Sequence, residues 1–424
     1  MKTLLKNCKI VNHDKTIEGN ILIDGEIIAS VSAPADAKAD KVIDCTGKLV
    51  LPGLIDMHVH FRDPGLEYRE DIISGSKAAA AGGVTGVCPM ANTKPVNDNS
   101  TITKYMIDKA KACGICDVFP IGAMTKKMEG EELTEMGDMT EAGAVAFSDD
   151  GLPVASAEVF RRAAEYASQF GSFVISHAED KSLAGSGVIH EGEVSTITGL
   201  RGIPSECEEV MVARDILMAK LTGTHVHICH ISSKGTLELI RWAKAQGLNV
   251  TCEITPHHFT LTEQELLSYD TNYKMNPPLR SKEDVAALLE GMKNGEIDCI
   301  VTDHAPHHVD EKNVEFDLAN FGITGLQTML PLSLALVEKG IITINDMVRM
   351  ACYNPAQMLK KTDRGEIKEG KLADIVVVDK DLEYVFDKTL NQSKSTNTPY
   401  LGKTLKGAAL YTIKNGNVVF EFPK

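Results

Sequence analysis

Aromatic residues are few, at 5% of the 424 residues, with one tryptophan. Positive charge is in deficit as well: 44 lysines and arginines face 59 acidic residues, a net −15, and such a surface repels a phosphate backbone rather than condensing on it. Nucleic acid is therefore not expected as a partner. No run approaches the ~20 consecutive apolar residues that cross a bilayer. The opening Met1-Lys2-Thr3-Leu4-Leu5-Lys6 passes straight into polar sequence, without the apolar core of a signal peptide. We expect no membrane association and a cytoplasmic location. The ten cysteines are scattered, several within apolar runs such as Val87-Cys88 and Asp298-Cys299-Ile300, where a reduced thiol acts as a small hydrophobe. Cys113-Gly114-Ile115-Cys116 has zinc-knuckle spacing but no partner pair, so core or surface thiols are the better reading. No Gly-x-Gly-x-x-Gly turn follows the first strand, which counts against a dinucleotide-binding open sheet.

What is present is enough for a large core: 43% of residues are apolar and 24% charged, a globular balance. Residues 1–50 read as short strands, among them Leu4 to Val11 and Gly19 to Gly25, and residues 363–424 as further β-branched runs, among them Lys371 to Asp379 and Gly407 to Ile413. The two ends are expected to form one small composite β-sandwich. Residues 51–362 alternate short apolar runs with amphipathic stretches. Eight such runs, at Leu49–His58, Val84–Cys88, Val118–Ile121, Ala144–Phe147, Phe173–Ser176, His225–Cys229, Asn249–Glu253 and Asp298–Val301, fit the size of a (β/α)8 TIM barrel. Helices are expected between them, as at Ala157–Phe170, Glu208–Lys220, Gly235–Gln246 and Glu283–Asn294.

The chemistry-bearing residues keep one phase in this pattern. The first strand ends in Asp56-Met57-His58-Val59-His60, and two histidines two apart on an extended chain point to one side. Alone, the pair has an ordinary hydrogen-bonding explanation. However, strands four, five, six and eight also end in candidate ligands, Asp150, His177, His230 and Asp303. A barrel gathers its C-terminal strand ends around one mouth. Four imidazoles and two carboxylates suit two borderline divalent ions, zinc above all. Asp150 is the bridging candidate, with neighbouring Asp149 an ordinary turn residue by default. Asp303 can ligate and also hold a proton for a leaving nitrogen, which makes it the candidate catalytic acid/base. Arg62 offers a planar fork for a carboxylate, and Asn92, Asn276 and His307 offer directional hydrogen bonds to an amide ring. His225, His227, His257 and His258 read as structural or supporting residues.

Taken together these segments resemble the amidohydrolase superfamily and, within it, the dihydroorotases of bacterial type. Asp56 to Gly65 (DMHVHFRDPG) is similar to that family's first signature, and Thr302-Asp303-His304-Ala305-Pro306-His307 with Lys312 to its second. The likeness extends to Gly82-Gly83-Val84-Thr85, Met90-Ala91-Asn92-Thr93, Phe147 to Gly151, Met275 to Arg280 and Gly370 to Asp374, so it spans essentially the whole chain. Ala91 stands where the family usually has proline, and Val301 where it has a small residue. The resemblance implies that His58, His60 and Asp303 bind one zinc ion, that His177 and His230 bind a second, and that Asp150 and a hydroxide bridge them. It implies that Arg62, Asn92, Asn276, His307, Phe321 and Gly322 hold the substrate. The implied reaction is the reversible cyclisation of N-carbamoyl-L-aspartate to L-dihydroorotate in pyrimidine synthesis, by a homodimer. Allantoinases and hydantoinases share part of the first signature, but many such relatives bridge their metals with a carboxylated lysine, and this chain offers Asp149 and Asp150 there. A catalytically silent scaffold is disfavoured because every ligand is present.

Overall fold

The structure, a computed structural model, describes residues 1–423. Its centre is a ring of parallel strands. Leu54–Val59 pairs with Val84–Pro89, which pairs with Asp117–Val118, while Ile121–Gly122, Ala146–Phe147, Val174–Ser176, Val226–Ile228, Val250–Ile254 and Cys299–Ile300 follow one another around the other side. The ring closes just past the eighth strand, where Val59 bridges His304 in parallel and the His60 amide donates to the His304 carbonyl at 2.8 Å. The run expected as one third strand is two short pieces. Pro120 lies between them, and a residue with no N–H and a fixed φ interrupts a ladder; each piece then bonds to one neighbour only.

Helices surround the ring. Ala157–Gln169, Glu206–Thr222, Lys234–Ala245 and Lys282–Lys293 start and stop within two residues of the sequence expectations. Ser156, Ser233 and Ser281 cap three of them by accepting from backbone amides in the first turn. The helices and the outer strand faces share one large apolar cluster. A second cluster fills the barrel, with Ile55, Met57, Ile121, Ile175 and Val301 among its members, and Cys88, Cys229 and Cys299 packed there as hydrophobes. All ten cysteines are free, and only Cys113 is not buried.

Both chain ends meet in a single eight-stranded sheet rather than two separate ones. Thr404–Lys414 pairs with Asn417–Glu421 and Ile375–Val385, the latter pairs with Leu49–Pro52, and that strand borders Lys2–Val11. The sheet folds over a third cluster drawn from both ends, including Leu5, Ile21, Ile43, Ile375 and Ile413. A bulge between Leu5 and Cys8, with Asn7 at φ 58°, bends the first strand and lets Leu5 and Cys8 both reach this core. No helix among the described residues is long and apolar enough to cross a membrane.

An ionic network binds the sheet to the barrel. Asp117 on the third barrel strand lies 3.0 Å from the Lys414 ammonium and pairs with Arg364, and both cations also face Asp374, at 3.5 and 3.2 Å. Asp374, Arg364 and Lys414 are buried. Replacing Asp374 with alanine leaves buried Lys414 with Asp117 alone, a carboxylate it shares with Arg364, while Arg364 keeps Asp363 at 3.2 Å; breaking a buried pair costs about 3–5 kcal/mol. The Asp374→Ala protein should therefore melt at a clearly lower temperature in calorimetry; an unchanged Tm would remove this network from the account of stability.

Candidate active site

Strand direction places all six sequence-predicted metal ligands at one mouth of the barrel, and their side chains converge there. The Asp150 carboxylate is the centre of the group. His58 Nε2 lies 3.5 Å from its Oδ1, His177 Nδ1 3.4 Å, His230 Nε2 3.9 Å, and His60 Nε2 is 3.5 Å from Oδ2. Asp303 completes the set, its Oδ1 lying 2.9 Å from His60 Nε2 and 3.5 Å from His58 Nε2. All six residues are buried. Two of them, His230 and Asp303, together with neighbouring Arg62, are held in backbone conformations that cost energy for residues other than glycine, with φ of 28°, 47° and 59°. Such strain persists where the surrounding structure over-determines it, as at functional sites.

The surroundings fix each ring. Glu253, on the seventh strand, reaches His58 Nδ1 at 2.7 Å and His227 Nε2 at 2.9 Å, and accepts from the His230 amide at 3.3 Å. Asn92 holds His60 Nδ1 at 2.9 Å. Glu179 holds His177 Nε2 at 3.2 Å and accepts from Asn276 Nδ2 at the same distance. Asp149, beside the central carboxylate, accepts from the Met124 and Thr125 amides at 2.7 and 3.1 Å and so anchors the loop after the third strand. Asp56 ties the first strand to the eighth, accepting from the Thr302 amide at 3.1 Å and its hydroxyl at 2.5 Å. Deep burial, partly offset by these bonds, pushes its carboxyl up to about 7.

The clustered groups shift one another's protonation. Burial alone would neutralise these groups, yet the nearby Asp150 and Glu179 carboxylates overcome burial and raise His177 to about 9. Burial is likewise outweighed at Asp150, which the His58 cation beside it holds well below the usual carboxylate range, and at Asp303, lowered by His58 and His60. His230 is lowered to about 3, by burial and then by the neighbouring His177 and His58. His58 Nε2, Asp150 Oδ1 and His230 Nδ1 are buried without any hydrogen-bond partner. Buried polar atoms left without a partner in this way are expensive. Converging nitrogen and oxygen donors fit a divalent cation; His58, His60 and Asp303 form one compact donor group, and His58, Asp150, Cys229 and His230 another.

The expected substrate residues line the same cleft, of about 330 Å³, with Arg62, Asn92, Asn276, His307, Phe321 and Gly322 all on its wall. Arg62 is 8% exposed. Its Nε donates to the Pro306 carbonyl at 3.2 Å, and it forms no ion pair among the described residues. Burial lowers it to about 10, still a cation at neutral pH. His307 Nε2 lies 2.7 Å from the Phe321 carbonyl, which makes that nitrogen the donor, and 3.5 Å from Arg62 Nη2. Burial, then the charge of Arg62, holds His307 down to about 2, so its ring is neutral. The Gly322 amide is already spent on the Lys274 carbonyl at 2.9 Å.

Sequence reasoning missed Glu253, Glu179, Asp149 as an anchor, and the Cys229 thiol beside the ligands. Glu253 had a usable signal, a carboxylate in the apolar run Val250-Thr251-Cys252-Glu253-Ile254 at the phase of the other ligands.

A barrel with this mouth belongs to the amidohydrolase class, and comparisons agree. Over residues 328–420 the chain matches the "Amidohydrolase family" model. The L-hydantoinase (dihydropyrimidinase) of Arthrobacter aurescens superposes with a TM-score of 0.89 at 28% identity, covering 100% of this chain and 96% of that one. A D-hydantoinase (dihydropyrimidinase) from Thermus sp. gives 0.82 at 24% identity over 100% and 97%, a likeness of fold. Residues 47–236 match the "Dihydro-orotase-like" model. The dihydroorotase of Geotalea daltonii is 51% identical over 99% of this chain and 100% of its own length, and that of Geobacter sulfurreducens 52% identical over 99% of each. The chain belongs to the dihydroorotase family and is a cyclic amidohydrolase.

Glu253→Gln keeps the shape of the carboxylate that orients His58 and removes its charge. Loss of such a supporting group typically costs about 10–100-fold in metal affinity or activity. Competitive chelator titration of the variant should show that weakening; wild-type affinity would demote Glu253 to a packing residue.

Proposed function

We propose that this chain catalyses the reversible ring closure of N-carbamoyl-L-aspartate to L-dihydroorotate, the reaction implied by the names of its relatives, using zinc held by His58, His60, Asp150, His177, His230 and Asp303. The observation that carries the substrate assignment is Arg62: a buried guanidinium without a carboxylate partner, beside His307 at the edge of the ligand cluster. Leaving such a group unpaired is costly, so the cleft favours a ring bearing a carboxylate over a neutral one.

Divalent ions at these ligands supply Lewis acidity toward the ring carbonyl and draw the pKa of water toward neutrality. The rest is performed by side chains. Arg62 receives the ring carboxylate as a bidentate partner. Asn92 and Asn276, each also hydrogen-bonded to a ligand or its support, fix the amide edge of the ring, while His307, Phe321 and Gly322 close the opposite wall. In the hydrolytic direction water adds to the ring carbonyl carbon, Asp303 takes up its proton, the carbon–nitrogen bond breaks, and Asp303 returns the proton to the departing nitrogen. Closure runs the same steps in reverse. The donor set of imidazoles and carboxylates supports two ions, and zinc as their identity. Ten free thiols support a reducing, cytoplasmic setting.

Purified protein should hydrolyse dihydroorotate, lose that activity on dialysis against a chelator and regain it with zinc, and leave dihydrouracil and hydantoin essentially untouched. Turnover of the neutral rings at comparable rates would redirect the assignment to another cyclic amidase. Replacing Arg62 with methionine removes a charge-assisted, bidentate contact worth about 3 kcal/mol, or ~100-fold. KM for dihydroorotate should rise by that order with zinc content unchanged; unaltered kinetics would contradict the role given to Arg62.

A further inference from the structure

The substrate wall opposite the metal ligands is held from a distant part of the chain. Between the strands Ile375–Val385 and Thr404–Lys414, residues 386–403 leave the terminal sheet and cross to the barrel mouth. Ser393 bonds Glu70 there, Ser395 donates to the Arg69 carbonyl at 2.7 Å, and the Asn397 carbonyl accepts from the Thr324 amide at 2.9 Å. Asn397 is 4% exposed. Its side chain makes three hydrogen bonds, all to the backbone of the segments that carry the substrate wall. Oδ1 accepts from the His307 amide at 3.0 Å, and Nδ2 donates to the carbonyls of Ala305 at 3.0 Å and Gly322 at 3.1 Å.

The Gly322 peptide needs such support. Its φ is 138°, outside the range that other residues readily adopt, and a Cβ there would come within 2.8 Å of the Ala305 Cβ and 3.0 Å of His307 Nε2. Its carbonyl also accepts from Lys312 Nζ at 3.2 Å. Lys312 is itself buried, and its remaining donors go to the carbonyls of Asn320 at 2.8 Å and Lys274 at 3.3 Å, with no carboxylate partner. Two buried polar side chains thus converge on one carbonyl behind the cleft.

We propose that Asn397 is a positioning residue for substrate recognition, locking the Ala305–His307 and Gly322 backbones together so that the His307 ring stands beside Arg62 in a fixed carboxylate pocket. The inference rests on the reading of Arg62 and His307 as that pocket. Asn397 itself does not line the cleft beside the metal ligands. It acts through the backbone, and its loss loosens the pocket without reaching the metal ligands.

The test uses zinc-loaded enzyme and dihydroorotate. Asn397→Ala should raise KM about 10-fold, the scale set by the loss of two or three ordinary hydrogen bonds, with kcat within about 3-fold and zinc content unchanged. Where the alanine protein does not fold, Asn397→Ser carries the same measurement. Because both residues act on one pocket, the Arg62→Met, Asn397→Ala double variant should show a KM no higher than Arg62→Met alone. The inference is overturned if the Asn397 variants keep the wild-type KM, if the two effects multiply, or if kcat and zinc content fall together with the rise in KM. If Arg62→Met itself leaves KM unchanged, the carboxylate-pocket reading fails beneath it; if Arg62→Met raises KM and the Asn397 variants do not, only the present inference fails.

Discussion

A buried carboxylate ringed by four imidazoles is the constraint from which the rest of this molecule follows. Taking Asp150 out of water is costly, and the interior repays it only through opposite charge and hydrogen bonds of good geometry. Here the partners come from the first, fifth and sixth strands, with Asp303 of the eighth beside them, so the compensation exists only if the barrel closes in one register. A slip of one residue on any of these strands would turn its ligand away from the mouth. The supporting carboxylates Glu253, Glu179 and Asp56 then hold the rings and the seam between first and eighth strands. The price of this polar centre is met by two apolar shells, one within the barrel and one between strands and helices.

The fold alone does not separate this chain from the enzymes it superposes on. The hydantoinases share the barrel and the terminal sheet, as the TM-score of 0.89 requires, but the fold fixes only where a ligand can stand. In the function we propose, the residue at the end of the fourth strand and the cation behind His60 set the chemistry and the choice of ring. Here those are Asp150 and Arg62, and the sequence relatives, rather than the fold neighbours, share the family.

Legibility from sequence followed the physics of phase. His58, His60, Asp150, His177, His230 and Asp303 could be picked out because strand ends in a parallel barrel face one way, so position along each apolar run predicts position in space. Helix limits were legible for a related reason, as the longer stretches left between successive apolar runs. The third strand was not, because the effect of Pro120 depends on which neighbour each half must pair with. Asn397 was invisible: Gln392 to Thr398 is a polar stretch that reads as an ordinary loop, and its contacts lie 75 to 92 residues away in the chain. Polar supports are chosen by tertiary geometry, which no local period records.

The return of residues 386–403 to the barrel mouth also sets an order of events during synthesis. Every candidate metal ligand is translated before Asn397, and the strand that continues from Leu49–Pro52 in the terminal sheet, Ile375–Val385, is translated later than the entire barrel. The candidate ligand cluster and the segment that braces the proposed substrate wall are therefore separated in order of synthesis by more than ninety residues, Asp303 to Asn397.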